Sequence, residues 1–265
     1  MMLQRGVGCS PAFAPRRASL APAGGRGELT LLGEFPEASH ARAVLEAVGS
    51  GERTFSAIAA RAGGAGALPS GTLSPLLATL QAKRVLAADL PLSTKPDSKN
   101  KRYRIADPYL RFWLAFLARA IPLIERGRGD LALERIERSW TTWRGRAVEP
   151  LIRDSLLRLM SDDEWPGTEA IGGWWNRQNN PEIDLIGADR EPVAGQVHFV
   201  GSVKWLETQP FGRHDYDALV RDMLAVPGTS PDTPLVAVSC CGAADDLPLT
   251  AHWGSEDLVR AWQPR

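Results

Sequence analysis

Residues 181–205, PEIDLIGADREPVAGQVHFVGSVKW, constrain the fold more than any other stretch. Ile183, Leu185 and Ile186 form one apolar run around Asp184. Val197, Phe199, Val200 and Val203 form a second ahead of Lys204. The charged turn DREP separates them, so the pattern predicts an antiparallel pair of strands. Residues two apart in a strand point to the same side. Ser202 and Lys204 therefore share one face. The Asp184 carboxylate is expected to meet the Lys204 ammonium from the neighbouring strand. Taken alone, such a pair is more often a half-buried ion pair than a catalytic site.

An acid on one strand and a Lys on the next, in a mixed α/β domain, resembles the PD-(D/E)XK nuclease core. That resemblance implies a divalent metal held by two acids, because one carboxylate gives a hard cation too little charge and too few oxygens. It makes Asp184 a metal ligand and Lys204 the group that orients the attacking water or steadies charge on the phosphate. The first position of the acid-x-Lys triplet is Ser202, a neutral hydroxyl. Glu149 lies at the edge of the apolar stripe Ile152 and Leu156, where this nuclease fold often carries an acid aimed at the metal. It is the expected second ligand, with an i,i+4 pair to Arg153 as the competing reading. With oxygen ligands the metal would be Mg²⁺ or Mn²⁺.

The 265 residues suffice for one large domain or two modest ones. With 31 basic and 31 acidic residues the formal net charge is zero. Any nucleic-acid contact must then come from a local patch rather than a global field. Most of the nine Trp lie beyond residue 139, which predicts the larger core there. Cys9, Cys240 and Cys241 have neither metal nor disulfide spacing, which fits a reducing, cytoplasmic setting. No apolar run of about 18 residues predicts a membrane span. Arg16–Arg17 lacks the apolar segment of an export signal.

Residues 1–36 read as a tail, flexible over 1–27, with an apolar run at 28–38 packing on the segment after it. Three helical patterns come next, capped by Ser39, by Thr54 and near Ser70–Thr72, the last holding Pro75 in its first turn. Val85–Leu86 and Ile105 then flank a basic loop. Three helices and a β-hairpin predict a winged helix-turn-helix over 37–106. Lys95, Lys99, Lys101, Arg102 and Arg104 stand against only Asp97 in that loop. Lys95, Lys99, Lys101 and Arg102 are the candidate phosphate contacts, with Thr72 on the presumed recognition helix. No Arg or Asn sits where bidentate base readout is expected, which implies DNA binding of low sequence specificity.

Asp107–Pro108 starts a helix carrying Tyr109, Phe112, Trp113, Phe116 and Leu117, which Pro122 kinks or ends. A second connecting helix is expected over 129–140, making 107–143 a linker. YRIADPYLRFW, GGWWN, EIDLIG and GSVKW, in that order, resemble the C-terminal half of the archaeal-type ATPases. That family joins a P-loop ATPase domain to a winged helix and a domain with a nuclease-like fold. The resemblance implies a DNA-associated, nuclease-like domain regulated by an ATPase. No GxxxxGK[ST] occurs, so no ATP site is expected in this chain. It reads as a truncated or split member.

The expected fold class is therefore α/β (α+β), a winged helix followed by a restriction-endonuclease-like, three-layer mixed-sheet domain over 144–265. Its helix is expected from Gly145 to Met160, with strands at 168–175, 182–188, 196–203 and 234–239 and helices near 214–226 and 256–262. The expected function is a DNA-associated protein, weakened or inactive as a metal-dependent nuclease. The alternative is a non-catalytic subunit that docks a separate ATPase or a partner protein.

Overall fold

The computed structural model describes residues 39–161 and 163–264. The expected tail, the apolar run at 28–38 and the Ser39 side-chain cap lie outside the residues described. The described chain is a mixed α/β structure with a two-stranded and a five-stranded sheet.

Three helices open it: α1 (Ser39–Gly49), α2 (Phe55–Ala62) and α3 (Ser70–Ala82). Thr54 caps α2, its hydroxyl accepting from the Ala57 N–H at 3.4 Å. Pro75 is the sixth residue of α3, one turn later than expected. The carbonyl it leaves without a donor belongs to exposed Gly71, where water can serve it. Strands β1 (Leu86–Asp89) and β2 (Arg102–Ile105) pair antiparallel, Leu86 opposite Ile105. Leu45, Ile58, Leu73, Leu77, Leu80 and Ile105 bury their side chains together in one core, which Trp113 and Leu114 close from the next helix.

That next helix starts at Asp107, whose carboxylate accepts from the Leu110 N–H at 2.6 Å, with Pro108 first in α4 (Pro108–Phe112). A π-helical turn over Trp113–Leu117 comes after it, then α5 (Ala118–Glu125), which runs through Pro122. Helix α6 is continuous from Gly129 to Leu159. The sequence suggested two helices there, parted near Gly145. A single mid-helix Gly costs only about 1 kcal/mol, and packing of Ile152 and Leu156 on the sheet offsets it. Pro150 also lies inside α6. It cannot donate to the Arg146 carbonyl four residues back, and the Arg111 guanidinium donates to that oxygen instead at 3.2 Å.

The larger sheet runs β3 (Ala170–Trp175), β4 (Glu182–Ala188), β5 (Val197–Lys204), β6 (Leu235–Ser239) and β7 (Ala251–Trp253) in spatial order. The first three strands are antiparallel neighbours; β5, β6 and β7 are parallel. Helix α7 (Arg213–Met223) makes the crossover from β5 to β6, and α8 (Ser255–Arg260) comes after β7. Ile152 and Leu156 of α6 pack with Leu185 and Val203 on one face. Leu219 and Met223 of α7 pack with Ile186 and Val200 on the other. The alternation of β4 and β5 thus sends apolar side chains to both sides, as a sheet covered by helices requires.

The β1–β2 loop does not project freely. The Leu92 N–H donates to the Gly173 carbonyl at 2.8 Å, and Thr94 N–H to Pro227 at 3.2 Å. A methyl on Gly172 would come within 2.9 Å of the Leu92 Cβ. The bare backbone of β3 therefore lets Leu92 seat in the larger core. No described helix is long and apolar enough to cross a membrane.

Candidate functional site

Asp184 and Ser202 come together as the strand register demands. The β4–β5 ladder pairs Leu185 with Gly201, so the next step brings 184 opposite 202. The Ser202 hydroxyl donates to Asp184 Oδ2 at 3.0 Å, and the Val203 N–H to the same oxygen at 2.8 Å. Beyond Leu185 and Gly201 the carboxylate takes a strand N–H that a ladder carbonyl would otherwise receive. The Asp184 main-chain carbonyl is also taken, by Arg153 Nε at 3.1 Å and Nη2 at 2.9 Å from α6. Burial pushes the Asp184 carboxyl up from its ordinary value. The two donors at Oδ2 and the Arg153 charge work against that rise.

Lys204 does not meet Asp184. Its Nζ lies 2.5 Å from Asp215 Oδ2, on the first turn of α7. Asp215 also accepts from the Gly212 N–H at 3.0 Å, so one carboxylate caps the helix and holds the Lys. The expected side-by-side pair is corrected by one step along β5: the short Ser202 hydroxyl reaches Asp184 directly, and Lys204 finds the helix acid. Asp184, Ser202 and Asp215 line one shallow hollow of about 140 Å³.

Glu149 stands on α6, paired with Arg153 at 3.7 Å. Burial, and then the Asp184 charge, push its carboxyl up from 4.5 to about 7, although Arg153 opposes them. A carboxyl that enclosure makes hold its proton this readily is a weaker ligand for a hard cation. A metal implied by the nuclease resemblance therefore finds a poor fit. Asp184 Oδ2 is filled by two donors, Ser202 offers no anion, and Glu149 is bound to a guanidinium. Among the described residues no three His, Cys, Asp or Glu side chains form a metal-holding group.

The candidate nucleic-acid residues divide. Thr72, Lys95 and Lys99 are exposed, and Lys101 is half-buried. Arg102 is buried and is not open to a phosphate. Its guanidinium grips Glu182 through both oxygens, reaches Asn179 Oδ1 at 2.7 Å and lies 4.1 Å over the Trp175 ring. Sequence reading missed Glu182, Asn179 and Asp215 as partners. Only the helix-start position of Asp215 hinted at a role. His198 meets Thr168, Nδ1 to Oγ1 at 2.8 Å, as a packed strand residue.

Residues 113–215 match the model of a family described as archaeal and bacterial proteins of unknown function, DUF234. An uncharacterized protein of Methanocaldococcus jannaschii is 28% identical over 192 residues, 72% of this chain. The chain spans 40% of that protein's length. No solved structure matches.

Proposed function

We propose that the chain is a DNA-associated winged-helix protein whose nuclease-like α/β domain has an inactive hydrolytic centre. The observation that carries this reading is the Asp184 site: a hydroxyl and a backbone N–H already hold Oδ2, and the position that would bear a second anion is Ser202. Lys204 is drawn to Asp215 on α7 rather than to Asp184, away from the place an acid-x-Lys site gives it. Three helices leading into an antiparallel β-pair support the winged-helix assignment. A helix, three antiparallel strands, a crossover helix and a parallel strand support the nuclease-like one. Exposed Thr72, Lys95 and Lys99, with Lys101 beside them, offer phosphate contacts without base readout.

Two measurements test this. Incubation of plasmid DNA with Mg²⁺ or Mn²⁺ leaves it intact, and calorimetry with Mn²⁺ gives no heat from wild type or Asp184→Asn. Cleavage or wild-type-only heat overturns the inactive centre. In anisotropy titrations, replacing Lys95, Lys99 and Lys101 with Ala weakens duplex binding and flattens its salt dependence by up to about three charges. Unchanged affinity removes DNA.

A second reading, docking of a separate ATPase or partner protein, is favoured by one observation. Leu133, Trp140 and Leu151 recur at spacings of seven and eleven along α6 and are exposed. Those spacings place them on one face of the helix.

A further inference from the structure

Five arginines converge on a single cleft of about 270 Å³ where α1, β2, the α4–α5 segment and α6 meet: Arg53, Arg104, Arg111, Arg119 and Arg146. No Asp or Glu lines it. Arg53 and Arg104 have carboxylate partners nearby, Glu182 at 3.6 Å and Asp89 at 3.0 Å. Among the described residues, Arg111, Arg119 and Arg146 have no carboxylate within ion-pair distance. Arg111 is the most enclosed of the three, and its one hydrogen bond goes to a carbonyl, the one Pro150 leaves free. Burial, and then the neighbouring Arg104 charge, hold its guanidinium below the ordinary arginine range. Asp89 and Glu149 temper the Arg111 charge and Glu182 tempers Arg146, but none of these acids lines the cleft, so positive charge is in excess there and a polyanion offsets it.

We propose that this cleft binds a small phosphate ester of about diphosphate size that carries a planar ring. Arginine forks match phosphate oxygens in pairs, and three of them balance the roughly three negative charges of a diphosphate. The Thr142 hydroxyl also lines the cleft and adds a neutral donor, whereas the Ser139 hydroxyl donates to the Arg135 carbonyl at 3.0 Å. Phe116 and Trp143 form the apolar wall and lie edge to face at 5.3 Å, so a ring entering beside them meets aromatic surface. Phe116 lies in the π-helical turn. The extra backbone width of such a turn often accompanies a binding site. A free ligand fits better than a nucleic-acid strand because the arginines line one small cleft rather than a track. A strand spaces its phosphates and asks for a track of cations. The proposal does not depend on the reading of Asp184 or of the Lys-rich loop.

Calorimetry on the full chain tests it with three probes: ADP, inorganic pyrophosphate and a twelve-base-pair duplex. ADP binds, pyrophosphate binds more weakly for want of the ring, and both affinities fall as salt rises. Arg119→Ala with Arg146→Ala, both at exposed positions, lowers both affinities at least about tenfold. That double variant melts like wild type. Arg111→Lys keeps the charge, loses the fork and also weakens ADP. Arg221→Ala on α7, far from the cleft, leaves both affinities unchanged. Absence of heat from ADP and pyrophosphate at millimolar concentration overturns the proposal. So does full affinity in the double variant, or displacement of ADP by the duplex at equal phosphate concentration.

Discussion

Glu149 shows how burial can outweigh an ion pair. Its carboxyl has a guanidinium at 3.7 Å, yet enclosure and the Asp184 charge raise it from 4.5 to about 7. In the unfolded chain this acid ionises near 4.5; in the folded one it keeps its proton until about 7. Between those values the folded state binds more protons, so stability falls as pH rises and levels off above about 7. The rise from 4.5 to about 7 corresponds to roughly 3 kcal/mol. Glu149→Gln, which stays neutral, should flatten this part of the profile and melt above wild type at pH 8. Urea melts from pH 4.5 to 8 measure it; a wild-type profile that rises with pH across that window would contradict the assignment. That Asp184 would face the side of the next strand carrying Ser202 and Lys204 was legible from the strand period; which of the two it meets was not, because the connection between Ala188 and Val197 leaves the register open. The partners of Lys204 and Arg102 were not, because no local pattern signals a contact between residues 102 and 182.

At the scale of elements, α6 runs unbroken through a proline, and one lost hydrogen bond there is replaced. Pro150 removes a helix donor, and Arg111 supplies one from the helix opposite. Pro150→Ala restores the N–H and relieves the ring's clash with the Arg146 carbonyl. It should stabilise the protein by about 2 kcal/mol, less than the full proline penalty because the proline also stiffens the unfolded chain. Chemical denaturation reads this, and a loss of stability would show that the proline's rigidity outweighs the missing bond. Strand β4 could be read from sequence at Glu182–Ala188 because both of its faces are apolar and its ends carry turn residues. Helix α6 was read as two, over 129–140 and from Gly145 to Met160, because Gly145 is a local breaker; packing far along the chain overrides it. Strand β7 was missed: three half-buried residues at a sheet edge carry no period. The arginine cleft was invisible for a related reason, its members being scattered from 53 to 146 and gathered only by helix packing.

At the scale of the whole molecule, the loop expected to be a free basic tip is a joint. Leu92 enters the larger core, and the Ser93 carbonyl accepts from the Ala194 N–H at 3.0 Å. The Asn100 carbonyl accepts from Trp175 Nε1 at 2.8 Å, and Arg102 is clamped by Glu182. The three-helix part and the five-stranded sheet are therefore coupled by apolar burial and by an ion pair whose Arg102 side is buried and whose Glu182 side is half-buried. Truncating Leu92 costs about 2–5 kcal/mol, and removing Arg102 about 3 kcal/mol, since Glu182 keeps only the looser Arg53. Wild type should unfold in one transition, with far-UV circular dichroism and tryptophan fluorescence coincident. Because most tryptophans lie beyond residue 139, fluorescence reports chiefly the sheet and its flanking helices, and dichroism reports both parts. In the Leu92→Ala, Arg102→Ala double variant the two signals should separate, with the three-helix part melting away from the sheet. Coincident curves in the double variant would mean that other contacts, such as those of α6 with the α4–α5 segment, carry the coupling instead.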